Sequence, residues 1–462
     1  MNNNINPTIS VQWHITTNCN NRCKHCYMFD ESTYKEEKNK ELSTNQIVEI
    51  INDIENFENK WGAKINNFFL TGGDPLLRDD WGFIFKELIK KDKNIYVMGN
   101  PETLTKDNLK KLSSLNIRGF QMSLDGLENT HDYYRNKGSF KRTIKAIDKL
   151  NQYNIKPSIM FTLTPDNKNE LIPLMNFVAK ETNALGFAFD ILSSVGNAQG
   201  IEKKIDALEL KELFTKYLDE KRKLYNEGYK TFFGEKSNFF KLIRFEQNDY
   251  YPSAPKELTA VSGCYIGLTC FTIISDGSVL ACRRFPEKVG QMPENSFEDI
   301  FLGSKTLKKF RRPNFYEECG ECDFFKVCRG CPAVTYGLTG NAFSQNPLCF
   351  RKNLSKETIL ELKPTKDIKL NTTYEEEFDL ISNHFNNVFN EKYSDFMNNE
   401  KILMLIGKFI DDKDEKKKYM KNPDEYVVKY NLDLSDIQKT FINYYFLRSD
   451  QGKIRNIKRY FI

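Results

Sequence analysis

Across residues 10–230 the chain repeats one pattern of apolar and polar positions. A short apolar or alternating run is followed by a loop and then by apolar residues at helical spacing. The runs at residues 11–16, 67–70, 95–98, 119–124, 157–163 and 187–192 predict six strands, because side chains alternate across a strand and a strand buried on both faces is almost wholly apolar. Most lie about 30 residues apart, the length of a βαβ unit, which predicts a parallel sheet in an α/β fold. Ile47, Ile50, Ile51 and Ile54 form one helical stripe, opened by Ser43 and Gln46 at capping-box spacing. Ser139 is the expected cap of a helix through Ile144, Ile147 and Leu150, and Asn167 of one through Leu171, Leu174 and Phe177. Residues 211–225 predict the sixth helix.

The loops that follow the strands share a chemistry. They are residues 19–26, then Thr71-Gly72-Gly73-Asp74-Pro75, Gly99-Asn100-Pro101, Ser123-Leu124-Asp125-Gly126, Thr162-Leu163-Thr164-Pro165-Asp166-Asn167 and Ser193-Ser194-Val195-Gly196-Asn197. In β/α barrels function gathers at the carboxyl ends of the strands, so these polar, glycine-bearing turns predict one functional rim.

Beyond residue 230 the rhythm breaks. Residues 230–263 read as a bridge, 264–349 as a cysteine-rich segment, 364–373 as a linker, and the last stretch, from 374 to 462, as a charged helical region with the stripe Ile402, Leu405, Ile406 and Phe409. With 462 residues, 40% of them hydrophobic and 13% aromatic, the chain suffices for several packed domains and is unlike a disordered one. A net charge of +5 leaves no nucleic-acid footprint. No apolar run approaches the about 18–20 residues of a membrane span, and the N-terminus has no signal-peptide pattern. A cytoplasmic protein is expected, where clustered cysteines are metal ligands or catalysts rather than disulfides.

All 11 cysteines fall into groups. Cys19, Cys23 and Cys26 share one loop, and thiolates there suit iron–sulfur clusters, zinc or copper(I). Structural zinc needs a fourth ligand, and His25 lies between two of the cysteines, where it is poorly placed to close on the same ion. Three thiolates on a four-iron cluster leave one iron open. This loop resembles the signature of the radical S-adenosylmethionine (SAM) superfamily, and the resemblance extends over residues 10–225. It implies a partial (β/α)6 TIM-like barrel over residues 1–229. A [4Fe-4S] cluster would sit on the three cysteines, with SAM on the open iron, an electron donor such as flavodoxin or ferredoxin, and hydrogen-atom abstraction from the substrate. It further implies SAM contacts from Gly72, Gly73 and Asp74 (the family more often has Glu at the third place), from Ser123, Asp125 and Arg135, and from the loop of Gly196. For Arg135 a plain salt bridge is an equal alternative. His25 stands where the family places an aromatic residue.

The other eight cysteines read Cys264-x5-Cys270-x11-Cys282, Cys319-x2-Cys322-x5-Cys328-x2-Cys331 and Cys349. Eight ligands complete two four-cysteine sites, for clusters or for zinc. Residues 264–352 resemble the SPASM extension of peptide- and protein-modifying radical SAM enzymes, with Gly277 five residues before Cys282. The resemblance implies one auxiliary cluster on Cys264, Cys270, Cys282 and Cys331 and another on Cys319, Cys322, Cys328 and Cys349. Many members have three residues, not two, between the last pair of the run. With every auxiliary ligand filled, electron relay is favoured over substrate binding. Three [4Fe-4S] clusters are therefore expected in all.

The residue after Cys282 bears on the reaction. Sulfatase maturases place an acidic base there, whereas this chain has Arg283 and then Arg284, which cannot accept a proton and are expected either to hold an acidic peptide or to face solvent. The expected function is a maturase that oxidatively crosslinks a ribosomally made precursor peptide, foremost through a cysteine thioether. A carbon–carbon crosslink or another peptide oxidation is the alternative, with an anaerobic sulfatase-maturase-like activity disfavoured behind them and an iron–sulfur scaffold protein the non-enzymatic one. Only 18 residues precede Cys19, so leader recognition is expected from the C-terminal region or a separate protein, or is dispensable. No catalytic residue, bond position or oligomeric state is legible.

Overall fold

The computed structural model of the protein describes residues 7–28, 39–200, 205–247, 264–322, 324–325, 328–355, 370–383, 413–421, 426 and 429. All six expected strands form: β1 (Thr8–His14), β2 (Lys64–Thr71), β3 (Asn94–Met98), β4 (Gly119–Ser123), β5 (Pro157–Leu163) and β6 (Gly186–Ile191). Each pairs in parallel with the next in chain order.

The sheet grows at both edges beyond the pattern read from the sequence. β7 (Phe232–Glu235) adds in parallel to β6. At the other edge β8 (Cys270–Ile273) pairs in parallel with β1, and the hairpin continues through β9 (Ser278–Cys282) and β10 (Phe285–Gln291). The cysteine-rich segment thus shares one ten-stranded sheet with the βα repeats. β7 and β8 have only four residues each, and four residues carry too little alternation to be read as strands in advance.

Alternation decides the core. Val11 and Trp13, Phe68 and Leu70, Ile95 and Val97, Phe120 and Met122, and Phe187 and Phe189 are all buried. Each such side chain contributes about 1.5–3 kcal/mol by leaving water. The intervening positions, among them His14, Gln121, Ser123, Thr162 and Asp190, face a cleft. Helices α1 (Thr44–Trp61), α2 (Trp81–Lys90), α3 (Lys106–Ser114), α4 (Glu128–Tyr134), α5 (Ser139–Gln152), α6 (Leu171–Glu181) and α7 (Ala207–Asn226) alternate with the strands. The Ser43–Gln46 capping box opens α1 as expected, with Ile47, Ile50, Ile51 and Ile54 buried.

Two caps differ from expectation. Gly138 caps α5 in the left-handed region, and Ser139 is instead the first helical residue, its hydroxyl 3.1 Å from His131 Nε2. Asn167 has no side-chain capping bond. Its amide donates to the carbonyls of Asp125 (3.0 Å) and Thr162 (2.9 Å) and its oxygen accepts from Thr164 N (2.7 Å), fastening the β4 loop to the β5 loop. The helix after β6 starts at Ala207, capped by an Asp206–Glu209 box.

The chain divides into two compact units, Met1–Asn386 and Asn387–Ile462. In the second, the helix Lys413–Lys421 buries Tyr419, and Tyr426 donates to Glu415 Oε2 at 2.6 Å. Residues 248–263 of the expected bridge, 364–369 of the linker and the stripe Ile402, Leu405, Ile406 and Phe409 lie outside the described residues. Among the described residues, no helix is long and apolar enough to cross a membrane.

Candidate active site

The 19–26 loop leaves β1 and lies against the β2 loop. Gly73 N donates to Thr16 O (2.9 Å) and Asp74 N to Asn18 O (2.7 Å). The approach leaves no room for side chains, since a Cβ on Gly72 would stand 2.1 Å from Thr16 O and one on Gly73 2.2 Å from Asn18 O. Gly196 does the same from β6. Its φ is +59°, a Cβ there would lie 2.7 Å from Tyr27 O, and the next residue, Asn197, donates to Cys26 O (3.0 Å). Its visible role is thus to abut the cysteine loop, and it does not line the cleft.

Asp74 is fully buried and faces inward. Its Oδ1 accepts from Leu76 N (2.9 Å), and its Oδ2 from Asn100 N (2.6 Å) and Thr103 Oγ1 (3.0 Å). Burial pushes its pKa up to about 6 against these donors. The carboxylate therefore ties the β2 loop to the β3 loop and is not among the cleft-lining residues.

Asp125 holds the next part of the rim. Its Oδ1 accepts from Thr162 N (2.9 Å) and its Oδ2 from Arg135 Nε (2.6 Å), with His25 Nε2 at 3.3 Å. Burial alone would raise its pKa, yet Arg135 and His25 hold it well below the carboxylate range. His131 Nδ1 accepts from Asp125 N at 3.0 Å, so its proton sits on Nε2, facing Ser139. Burial, then the Arg135 charge, lowers His131 to about 4, so it is neutral. The loop thus fixes Arg135, whose Nη1 points at Cys23 Sγ (3.6 Å). His25 packs edge-on against Tyr134, ring centroids 4.9 Å apart.

A cleft of about 300 Å³ opens where these loops meet. Cys19, Cys23, Cys26, Gly72, Gly73, Ser123 and Arg135 all line it, together with Asp190, Arg283 and Arg284. The sequence reading missed His14, Met98, Gln121 and Met160, which also line it. Their signal was available: each stands at or near the carboxyl end of a strand, on the face opposite the apolar positions.

The later cysteines gather as two sets. Cys319, Cys322, Cys328 and Cys349 line one small cavity. Cys282 is close enough to Cys264, Cys270 and Cys331 for charge to act between them, Cys264 and Cys331 likewise interact, and burial pushes Cys264 and Cys270 up to about 12. Arg329 (φ +54°) and Gly330 (φ +57°) reverse the chain between Cys328 and Cys331, so two residues suffice to send neighbouring thiols to different sets.

The donor chemistry around the first trio fits an iron–sulfur cluster. Asn21 N (3.4 Å) and Asn100 Nδ2 (3.5 Å) donate to Cys19 Sγ, and Arg135 faces Cys23. Such N–H donors favour thiolate sulfur and tune a cluster's potential. Burial otherwise raises the pKa of Cys19 and Cys23, so a bound metal is what would keep them ionised. Among the described residues, no three or more His, Cys, Asp or Glu side chains close on a single metal-ion position.

Comparison with known proteins agrees with this layout. Residues 13–178 match the model of the radical SAM superfamily, and residues 264–323 match SPASM, an iron–sulfur cluster-binding domain. The chain is 25% identical to the AdoMet-dependent heme synthase of Nitratidesulfovibrio vulgaris, over 74% of this chain and 92% of that protein. It is 24% identical to the antilisterial bacteriocin subtilosin biosynthesis protein AlbA of Bacillus subtilis, over 77% and 73%. The structure of Streptococcus suis SuiB bound to precursor peptide SuiA superposes with a TM-score of 0.57 at 17% identity, over 74% of this chain and 76% of that one, a likeness of fold.

Proposed function

This chain is a radical SAM superfamily enzyme that carries a SPASM domain, and on that premise we propose that it oxidatively crosslinks a ribosomally made precursor peptide, foremost through a cysteine thioether. The observation that carries this reading is the shared cleft. The cysteine loop, the Gly72-Gly73 turn, Ser123 and Arg135 line it together with Arg283 and Arg284, which directly follow the auxiliary thiol Cys282.

In this proposal Cys19, Cys23 and Cys26 would hold one [4Fe-4S] cluster. Cys264, Cys270, Cys282 and Cys331 would hold a second, and Cys319, Cys322, Cys328 and Cys349 a third. When bound, the first cluster and SAM supply hydrogen-atom abstraction, and the auxiliary clusters take up the electron the product must lose. The protein's own part is positional. The Gly72-Gly73 backbone, Ser123 and Arg135 would hold SAM, with Arg135 oriented by Asp125. Asp74 and Gly196 support the site from behind, by locking the β2 and β6 loops in place. Flavodoxin or ferredoxin is the proposed electron donor and the cytoplasm the proposed location.

The test is anaerobic reconstitution with SAM and a strong reductant, with and without the peptide encoded beside the gene. Formation of 5′-deoxyadenosine and loss of two hydrogens per new bond in the peptide are expected. An unchanged peptide mass removes the substrate assignment, and absence of 5′-deoxyadenosine from a fully loaded protein favours the scaffold alternative. Fragmentation of the product separates a thioether from a carbon–carbon bond. The heme synthase relative favours a second reading, synthesis of heme, and heme formed from an iron porphyrin precursor under the same conditions would select it.

A further inference from the structure

Three arginines line the cleft, and their partners differ. Arg135 pairs with Asp125 at 2.6 Å. Arg284 pairs with Asp190 at 3.0 Å, donates to Ile191 O at 2.9 Å and faces Cys331 Sγ at 3.5 Å. Arg283 has no carboxylate among the described residues. Its Nη1 reaches only the thioether of Met98 (3.8 Å), and its guanidinium lies 5.5 Å from the centroid of the Tyr27 ring.

The acids of the cleft cannot serve it. Asp190 is held by Arg284 and by the amide of Ile191 (2.9 Å). Asp276 accepts from Ser278 N (2.8 Å) and Ser278 Oγ (3.1 Å). Arg283 is thus a half-buried cation with most of its five donors unused. A charge withdrawn from water is costly until an opposite charge meets it, and the planar fork of Arg matches a carboxylate.

His14, at the end of β1, supplies an independent sign of a missing ligand. It lines the same cleft and is 2% exposed, yet neither ring nitrogen has a hydrogen-bond partner among the described residues. Burial first, then the charge of Arg283, lowers its pKa to about 3, so the ring is uncharged. Such a pair of orphaned nitrogens beside a guanidinium without a carboxylate describes a polar recess suited to a group that bears a negative charge and hydrogen-bonding atoms.

We propose that Arg283 anchors a carboxylate of the substrate, the side chain of an Asp or Glu in the precursor peptide, with His14 hydrogen-bonding the peptide beside it. Arg283 is a positioning residue here and moves no proton. The inference rests on the peptide-maturase reading and names a feature of the substrate.

The test uses the anaerobic full-length holoenzyme with SAM and two peptides: the one encoded beside the gene, and a copy with every Asp and Glu replaced by Asn and Gln. Equilibrium binding and kcat/KM are measured for wild type, Arg283→Gln and Arg283→Lys. Arg283→Gln is expected to weaken the acidic peptide about tenfold or more, as loss of a charged hydrogen bond does, mostly in KM. It should change the amide copy by no more than about twofold, and Arg283→Lys should recover part of the loss. Equal weakening of both peptides, or of neither, overturns the proposal, since a guanidinium that served SAM or the fold would not distinguish them. If wild type binds neither peptide, the anchor also falls. If binding depends on Arg283 and on the acidic residues but no mass change follows, the anchor stands and the maturase reading fails.

Discussion

Asp125 exposes none of its surface, yet it accepts from Arg135, Thr162 N and His25. Asp125→Asn would leave the Arg135 guanidinium without its counter-charge in a buried setting, and removal of one partner of such a pair costs about 3–5 kcal/mol. The expected result is a lower denaturation midpoint together with loss of SAM cleavage, read as 5′-deoxyadenosine formed per protein. Gly73 is a second sensitive position. A methyl there would meet Asn18 O at 2.2 Å, so Gly73→Ala must displace either the β2 loop or the cysteine loop. Misplacement near 1 Å can cost about a hundredfold in rate, and SAM cleavage by this variant is expected to fall by one to two orders of magnitude while circular dichroism changes little. That Gly72 and Gly73 stand on a strand-end loop at the rim was legible from the residues. The inward turn of Asp74 was not, because the side chain's bonds to Asn100 and Thr103 depend on how two loops meet.

Among the elements, β7 is held by charge. Glu235 accepts from Lys221 of α7 at 2.6 Å and from Arg244 at 2.6 and 2.8 Å. Burial alone would raise its pKa, but Lys221 and then Arg244 depress it from 4.5 to about 2. A depressed carboxylate stabilises the fold above its unfolded pKa and loses that contribution as pH falls through the folded one. This edge should therefore weaken as pH drops from about 4.5 toward 2, seen as lower protection of the β7 amides relative to their intrinsic exchange at each pH. Glu235→Gln should exchange faster at neutral pH and lose most of that acid dependence. The six main strands and the α1 cap were legible because their apolar spacing is local and long enough to count. β7 and β8 were not, because a four-residue strand is selected by the strands it pairs with.

At the scale of the whole molecule, β8 to β10 join the cysteine-rich segment to the sheet, and two thiol sets gather beside it. If these sets hold clusters as proposed, metal binding is part of folding there. Removal of iron with a chelator is expected to open residues 264–355 to proteolysis well before β1 to β6. Mapping the earliest cleavage sites checks it, and equal protection with and without iron would argue against cluster ligation by these eight thiols.

The residues alone were enough for the α/β class, the rim of strand-end loops, the grouping of all cysteines and the absence of an acidic base after Cys282. These follow from spacing and chemical type, which survive without coordinates. Tertiary structure decided what spacing cannot encode. It turned Asp74 inward, gave Arg284 a carboxylate and Arg283 none among the described residues, and brought His14 to the cleft with its nitrogens unmatched by them. Whether a charge is met depends on which distant loop stands opposite it, and that is settled only when the chain has closed on itself.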